Sequence, residues 1–213
     1  AQLLGHSQND IDKVTQPYIL ETFGVEVARC DTLEQYTDAI NDASLDRYFS
    51  KYWENDIKKW KYSGLALVDE VNSLRPRAVL DVGCGYNEFK GKIDNLIGID
   101  PYNDKADIQV STLEYRTTQK FDVMLCLGSV NFGSRDKIIS EVGRCVDLLE
   151  DGGTMFFRVN PGVQHNKPEA KWIEFFAWNV PFIIELSEIF NLKVLDIRDD
   201  SNQRKYFIYR KVK

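Results

Sequence analysis

The chain has few of the residues that build metal centres and disulfide frameworks. Its 213 residues include two histidines and four cysteines. His6 and His165 are far apart in the sequence, and no two cysteines form a CxxC pair. Zinc sites and redox dithiols normally use closely spaced ligands. We therefore expect no metal site, and we interpret the cysteines as reduced packing residues.

The sequence also lacks a long apolar run and a surplus of basic residues. No stretch approaches the roughly 18 apolar residues of a membrane-spanning helix, and the first residues lack a secretory signal pattern. Lysine and arginine number 27 against 33 acidic residues, which gives a net charge of −6. Proteins that bind a nucleic-acid backbone normally carry a basic surface. These absences predict a soluble, cytoplasmic protein without membrane contact and disfavour nucleic acid as a partner.

A short apolar segment that ends in two glycines carries most of the functional information. Residues 78–87 have the sequence AVLDVGCGYN, in which Asp81 precedes Gly83 and Gly85. Glycine allows close approach of the backbone to a ligand and left-handed dihedral angles. A dinucleotide-binding loop would need a third glycine where Glu88 stands. A carboxylate at the end of this predicted strand suits a ligand that carries an ammonium group.

Further strand and helix patterns alternate along the chain. The segment NLIGIDP ends near Asp100, whose carboxylate can accept hydrogen bonds from ribose hydroxyls. Other strands are predicted at 106–110, 120–129, 151–159, 192–198 and 205–210. Helices are predicted from a start at Thr32, and at 45–74 with a break near Ser63, at 89–93, at 135–149, and at 171–190 with an interruption at Pro181. This alternation predicts an α/β protein with a parallel, doubly wound sheet.

In their order and spacing, these motifs resemble the class I S-adenosylmethionine-dependent methyltransferase family over residues 60–213. The motifs are VLDVGCG at 79–85, IGID at 97–100, FDVMLC at 121–126 and LLEDGGT at 148–154. The resemblance implies a Rossmann-like, mostly parallel seven-stranded sheet with a C-terminal antiparallel hairpin. It also implies an N-terminal helical extension, residues 1–60, that acts as a lid on a methyltransferase domain, residues 61–213.

The same resemblance implies S-adenosylmethionine as the cofactor and a set of residues around it. From the methionine end through the ribose and the adenine to the floor of the site, these are Asp81, Gly83, Cys84, Gly85, Asp100, Pro101, Ser111, Thr112, Leu113, Cys126, Leu127 and Gly128. Two positions depart from the family pattern. Asn87 replaces a third glycine of the first loop, and Ser111 stands where the family often has an acid facing the adenine.

The resemblance implies methyl transfer to the oxygen or nitrogen of a small or medium-sized acceptor. His165 is a candidate general base, since an unperturbed histidine has a pKa of about 6.5; a solvated surface histidine is the alternative. Strand-end loops supply further candidates for contact with the acceptor, most of which we expect to be packing or surface residues: Tyr86, Tyr102, Asn131, Arg158, Asn160 and Trp172.

Two other functions stay open at this point. The first is methylation of RNA or of a protein side chain. It depends on the lysines and aromatic residues of 51–62, if the aromatic rings stack on bases instead of packing in a core. The second is a non-catalytic subunit that binds S-adenosylmethionine without transferring its methyl group. The sequence does not predict an oligomeric state.

Overall fold

The computed structural model describes the backbone of residues 8–54, 58, 61–163 and 167–213. The chain divides into two compact units. The first comprises Ala1–Trp53 and Gln164–Glu174, and the second comprises Glu54–Val163 and Phe175–Lys213. The lid role of residues 1–60 and the boundary at residue 60 remain predictions.

Two helices form most of the first unit, α1 (Gln8–Phe23) and α2 (Leu33–Lys51). Thr32 caps α2 as predicted: its hydroxyl accepts a hydrogen bond from the Gln35 N–H at 3.2 Å, and the Gln35 side chain accepts one from the Thr32 N–H at 3.3 Å. Asn41 joins residues 167–174 to this helix, because its Oδ1 accepts a hydrogen bond from the Glu174 N–H at 2.8 Å.

The second unit is built on a mixed sheet, which has six strands among the described residues. In chain order the strands are β1 (Val79–Val82), β2 (Leu96–Ile99), β3 (Phe121–Leu127), β4 (Leu149–Val159), β5 (Leu192–Asp199) and β6 (Lys205–Lys211). Their spatial order is β2-β1-β3-β4-β6-β5. The first four strands run parallel, whereas β6 is antiparallel to both β4 and β5. This is a Rossmann-like α/β fold, with an antiparallel β5–β6 pair at one edge.

Helices cover both faces of the sheet, since the central strands β1 and β3 are almost entirely buried on both sides. The larger core lies beneath α4 (Arg135–Leu148) and α5 (Val180–Ile189) and includes Leu80, Met124 and Phe157. The smaller core lies on the other face with the short α3 (Val68–Ser73), and it includes Val79, Leu125 and Phe156. Alternate residues of one strand therefore enter different cores, as the two-residue period of a strand requires.

The predicted seventh strand is wrong, since residues 106–110 make only one isolated bridge, Ile108 to Ile99. The N–H groups of both Asp107 and Ile108 donate to the Gly98 carbonyl, at 3.0 and 3.2 Å. The Asp107 side chain accepts the Gly98 N–H at 2.8 Å. The Asp107 side chain thus occupies the Gly98 donor that a regular ladder would need. Backbone pairing is confined to the carboxyl end of β2, where the Asp100 N–H donates to the Ile108 carbonyl at 3.3 Å and the Val110 N–H to the Asp100 carbonyl at 3.2 Å.

Three predicted helices also differ from the structure. The helix expected at 45–74 is divided, because α2 ends at Lys51 and the next helical residues that the structure describes are the 3₁₀ turn Leu65–Leu67 and α3. Residues 89–93 form a turn that buries Phe89 and Ile93 instead of a helix. The helix expected at 171–190 begins only at Val180, where Asn179 accepts the Phe182 N–H at 2.9 Å. The prediction for 135–149 is confirmed by α4.

Within the described ranges, no helix has both the length and the apolar character needed to cross a bilayer.

Candidate functional site

A buried carboxylate lies at the carboxyl end of β1. Asp81 is paired with Gly98 of β2 and Leu125 of β3, and it is only 3% exposed. Its Oδ2 is buried and has no hydrogen-bond partner among the described residues. Burial, and secondarily the charge of Asp100, raises the pKa of Asp81 to about 7. A buried acceptor without a donor is costly, so this edge of the sheet is suited to a ligand that brings a donor or a positive charge.

The loop after Asp81 needs glycine for two reasons. Gly83 has a φ of +67°, and a Cβ there would lie 2.3 Å from the Cβ of Ser129. The N–H groups of Gly83 and Cys84 both donate to the Ile99 carbonyl, at 2.8 and 3.0 Å, which fixes the loop to β2. Asn87, which stands in place of a third glycine, has a φ of +56°, in the left-handed region that asparagine tolerates better than most residues.

Asp100 supports the same loop from the end of β2. Its Oδ2 accepts the Gly85 N–H at 2.9 Å, and its Oδ1 accepts the N–H groups of Tyr102 at 2.8 Å and Asn103 at 3.0 Å. A carboxylate offers about four acceptor positions, so roughly one remains for a ligand hydroxyl. The structure therefore brings Asp81, the glycine loop and Asp100 together at one edge of the sheet. Backbone N–H groups, however, use most of the hydrogen-bond acceptor positions of Asp100.

The segment expected near an adenine is a turn. The N–H of Tyr115 donates to the Ser111 carbonyl at 2.9 Å, and residues 111–113 are half-buried. The Ser111 hydroxyl donates to Glu114 Oε2 at 2.6 Å, which leaves its own lone pairs available. The acidic residue of this turn is therefore Glu114. The family pattern does not point to Glu114, because it stands three residues after the position where that pattern places an acid.

The loop after β3 forms the remaining side of the site. The Cys126 side chain is fully buried in the larger core, so only its backbone can line a site. Gly128 has a φ of +116°, and no described atom lies within 4 Å of the position of its missing Cβ. The neighbouring Ser129 has a buried hydroxyl without a hydrogen-bond partner in the described part of the chain. The open space beside Gly128 therefore adjoins a second buried polar atom without a described partner, the Ser129 hydroxyl. Ser129 is not among the site residues that the motifs predict.

The cysteine of the loop is not an activated nucleophile. Burial raises the pKa of Cys84, and the carboxylates of Asp81, Asp100 and Asp107 raise it further. A thiol without thiolate character is a poor nucleophile. All four cysteines are free thiols.

The candidate acceptor contacts divide into buried and exposed residues. Asn131 and Asn160 are buried and hydrogen-bonded to backbone: Asn131 Oδ1 accepts the Asn160 N–H, and Asn160 Oδ1 accepts the Gly162 N–H, both at 2.9 Å. Arg158 forms a buried ion pair with Asp200. Tyr86 is exposed, and Trp172 belongs to the first unit. The candidate base His165 lies outside the described residues and stays a prediction.

No family model matches the chain, and no curated protein matches it. Solved structures do match. A 1,6-didemethyltoxoflavin-N1-methyltransferase from Burkholderia thailandensis, crystallised with 1,6-didemethyltoxoflavin and S-adenosylhomocysteine, superposes with a TM-score of 0.63 at 14% identity, over 89% of this chain and 95% of that one. This chain shares the fold of that methyltransferase.

Two further methyltransferase structures have the same fold, with similar TM-scores and the same sequence identity. The CcbJ methyltransferase from Streptomyces caelestis matches with a TM-score of 0.58 at 14% identity, over 84% of this chain and 98% of that one. The N-methyltransferase NodS from Bradyrhizobium japonicum, in complex with S-adenosylhomocysteine, matches with a TM-score of 0.57 at 14% identity, over 80% of this chain and 97% of that one. At these identities the similarity establishes the fold of the chain and nothing finer.

Proposed function

We propose that this protein is an S-adenosylmethionine-dependent methyltransferase that acts on the oxygen or nitrogen of a small or medium-sized acceptor. The observation that carries the proposal is the unsatisfied Oδ2 of Asp81, buried beside a glycine loop at the carboxyl end of β1. Ligands of open α/β sheets bind at this edge. An ammonium group, such as that of the methionine portion, would supply the charge and the donor that Asp81 lacks.

The other residues of the site fit the rest of that cofactor. Asp100 keeps about one acceptor position for a ribose hydroxyl, with Pro101 beside it. Ser111, with Thr112 and Leu113, would meet the adenine, and the Ser111 hydroxyl has lone pairs for the exocyclic amine. Leu127, Gly128 and the backbone of Cys126 would form the floor. When bound, S-adenosylmethionine supplies a methyl group activated by a sulfonium charge.

The residues of the protein would then align the acceptor with the methyl group and exclude water from the site. The end of β4 is left for the acceptor, because the cofactor residues occupy the ends of β1, β2 and β3. A nucleophile that must lose a proton needs a base, and His165 remains the predicted one. The pH profile of turnover in His165→Ala tests it: a profile and a rate equal to those of the parent would place the base elsewhere.

The RNA or protein alternative loses part of its support. Tyr62, one of the aromatic residues that would stack on bases, is itself stacked on the buried Tyr206, with ring centroids 4.5 Å apart. A ring engaged in this way acts in packing. The non-catalytic alternative predicts cofactor binding without turnover on any acceptor class, and only activity assays separate it from the proposal.

The first experiment is calorimetric titration with S-adenosylmethionine and S-adenosylhomocysteine, with NAD as the control ligand. The proposal predicts micromolar binding of the first two and none of NAD. Asp81→Asn should weaken the binding of both by about tenfold or more, through the loss of a charge-assisted hydrogen bond. Asp94→Asn is the matched control, since Asp94 is an exposed aspartate outside the site. Absence of binding to either ligand would overturn the proposal.

A further inference from the structure

Two arginines and one aspartate form a buried charged cluster on the acceptor side of the site. Arg158, the penultimate residue of β4, is 4% exposed. Its Nε donates to Asp200 Oδ2 at 2.5 Å, and both side chains of this ion pair are nearly inaccessible to solvent. Arg204 lies beside them at the end of the β5–β6 connection, and its backbone carbonyl accepts the Asp200 N–H at 2.8 Å. We call Arg158, Asp200 and Arg204 the arginine cluster.

The arginine cluster faces the same side of the sheet as Asp81. Asp81 pairs with Leu125 on β3, and Leu127 pairs with Arg158 on β4. Residues paired across a sheet share a face, and so do residues two apart on one strand. Since β1 and β4 are separated only by β3, Arg158 lies about 10 Å from β1 across the sheet. That separation leaves room for an acceptor between the cluster and the loops of β1 and β3.

The charges of the cluster are unequal, with two guanidinium groups against one carboxylate. Burial, and secondarily the positive charge of Arg158, lowers the pKa of Arg204 to about 10, while the Asp200 carboxylate opposes this shift. The Arg204 guanidinium therefore remains charged at neutral pH next to the buried guanidinium of Arg158. A guanidinium has five donors in a planar fork that matches the geometry of carboxylates and phosphates. Positive charges held together away from water favour an anion as their ligand.

We propose that the arginine cluster is a subsite for an anionic group, a carboxylate or a phosphate, of the methyl acceptor. The inference rests on the proposed function, and it specifies the acceptor class: a small molecule whose nucleophilic atom lies some ångströms from an anionic group. Asp200 acts as the internal counter-ion that holds Arg158 in position before the acceptor enters.

The competing explanation is purely structural, namely that the ion pair fastens the β5–β6 connection to β4. The two explanations differ for Asp200. If the cluster binds anions, Asp200 competes with the ligand, and Asp200→Asn should strengthen anion binding. If the cluster is only structural, Asp200→Asn should lower stability and leave anion binding unchanged.

The test is titration of the full chain with inorganic phosphate and, separately, with succinate at constant ionic strength, both with and without S-adenosylhomocysteine. We expect saturable binding of one of these anions by the parent protein, and the preferred anion distinguishes a phosphate from a carboxylate acceptor. Arg204→Gln should weaken that binding about tenfold, and Asp200→Asn should strengthen it several-fold. Lys205→Gln is the matched control. It removes the positive charge next to Arg204 in the chain, but Lys205 pairs with Val159, whose side chain lies on the opposite face of the sheet from Arg158.

Unfolding temperatures of all variants separate a loss of folding from a loss of binding. If Asp200→Asn fails to fold, the Arg204→Gln comparison still decides the question, since Arg204 is only partly buried. Absence of saturable anion binding, or equal affinity in the parent and Arg204→Gln, overturns the subsite. Either result leaves the proposed function standing if S-adenosylhomocysteine binds. Conversely, anion binding without S-adenosylhomocysteine binding would overturn the proposed function and leave an anion site.

Discussion

Gly83 and Ser129 touch across the end of β1 so closely that no side chain fits between them: a Cβ on Gly83 would lie 2.3 Å from the Ser129 Cβ and 3.2 Å from its Oγ. The residues are 46 apart in sequence and belong to the loops after β1 and β3. Their contact fixes the distance between these two loops. Because Asp81 Oδ2 and the Ser129 hydroxyl both lack hydrogen-bond partners among the described residues, the contact also brings two unsatisfied polar atoms to the same edge of the sheet.

Gly83→Ala should therefore separate the two loops and weaken cofactor binding. The φ of +67° adds backbone strain to the clash, so we expect a loss of about 1–3 kcal/mol in unfolding free energy and at least a tenfold loss in S-adenosylhomocysteine affinity. Denaturant unfolding and calorimetry measure the two effects.

The double variant Gly83→Ala/Ser129→Gly separates the clash from the strain. Removing the Ser129 side chain should restore part of the affinity, while the strain at position 83 persists. Equal affinities in the single and double variants would show that the contact with Ser129 does not hold the loop.

Cofactor affinity should depend on pH through Asp81. Since burial and Asp100 raise the pKa of Asp81 to about 7, the carboxylate is mostly protonated at about pH 6 and mostly ionised at about pH 8. Only the ionised form attracts an ammonium group. The affinity for S-adenosylhomocysteine should rise about tenfold across this interval, and Asp81→Asn should abolish the rise. A parent affinity that does not change with pH would remove Asp81 from direct contact with the amino group.

The parts of the fold that the sequence predicted are those in which local pattern and tertiary packing agree. The strands that end at Val82, Ile99 and Leu127 are apolar runs bounded by turn residues, and all three occur in the structure. The strand expected at 106–110 failed because the Asp107 side chain takes a backbone donor of β2, which no periodicity shows. In the same way, the close approach of Ser129 to Gly83 and the ion pair of Arg158 with Asp200 connect residues distant in sequence, which no local pattern shows.

Asn131 should be essential for the shape of the acceptor side. Its Oδ1 accepts the buried Asn160 N–H at 2.9 Å, and its Nδ2 donates to the Gly128 carbonyl at 2.9 Å. Asn131→Ala leaves both backbone groups without these partners, so the unfolding free energy should fall by about 1–3 kcal/mol. The exposed Gln119→Ala is the control and should change it by less than about 0.5 kcal/mol. A loss no larger than that of the control would show that water replaces the side chain.

Asp81 lies near the carboxyl end of β1, whereas Asp122 of β3 accepts hydrogen bonds just before the amino end of β1. Protein stability should depend on pH in opposite directions through these two aspartates. Burial raises the pKa of Asp122, but its hydrogen bonds from the N–H groups of Arg77 (2.8 Å) and Ala78 (2.9 Å) outweigh burial, so the pKa lies below its usual range. A depressed pKa means that the stabilisation by Asp122 is fully present above the unfolded value of about 3.9 and is lost as the pH falls through the folded value.

Asp81 has the reverse sign. Its folded pKa of about 7 exceeds the unfolded value of about 3.9, so the folded state binds the extra proton between these values and stability should fall as the pH rises across this interval. Unfolding free energies measured from about pH 3 to about pH 8 should therefore lose their decline towards neutral pH in Asp81→Asn. In Asp122→Asn they should lose part of their acid sensitivity instead. If Asp81→Asn retained the decline towards neutral pH, another group would be its source, and Asp81 would not have the raised folded pKa.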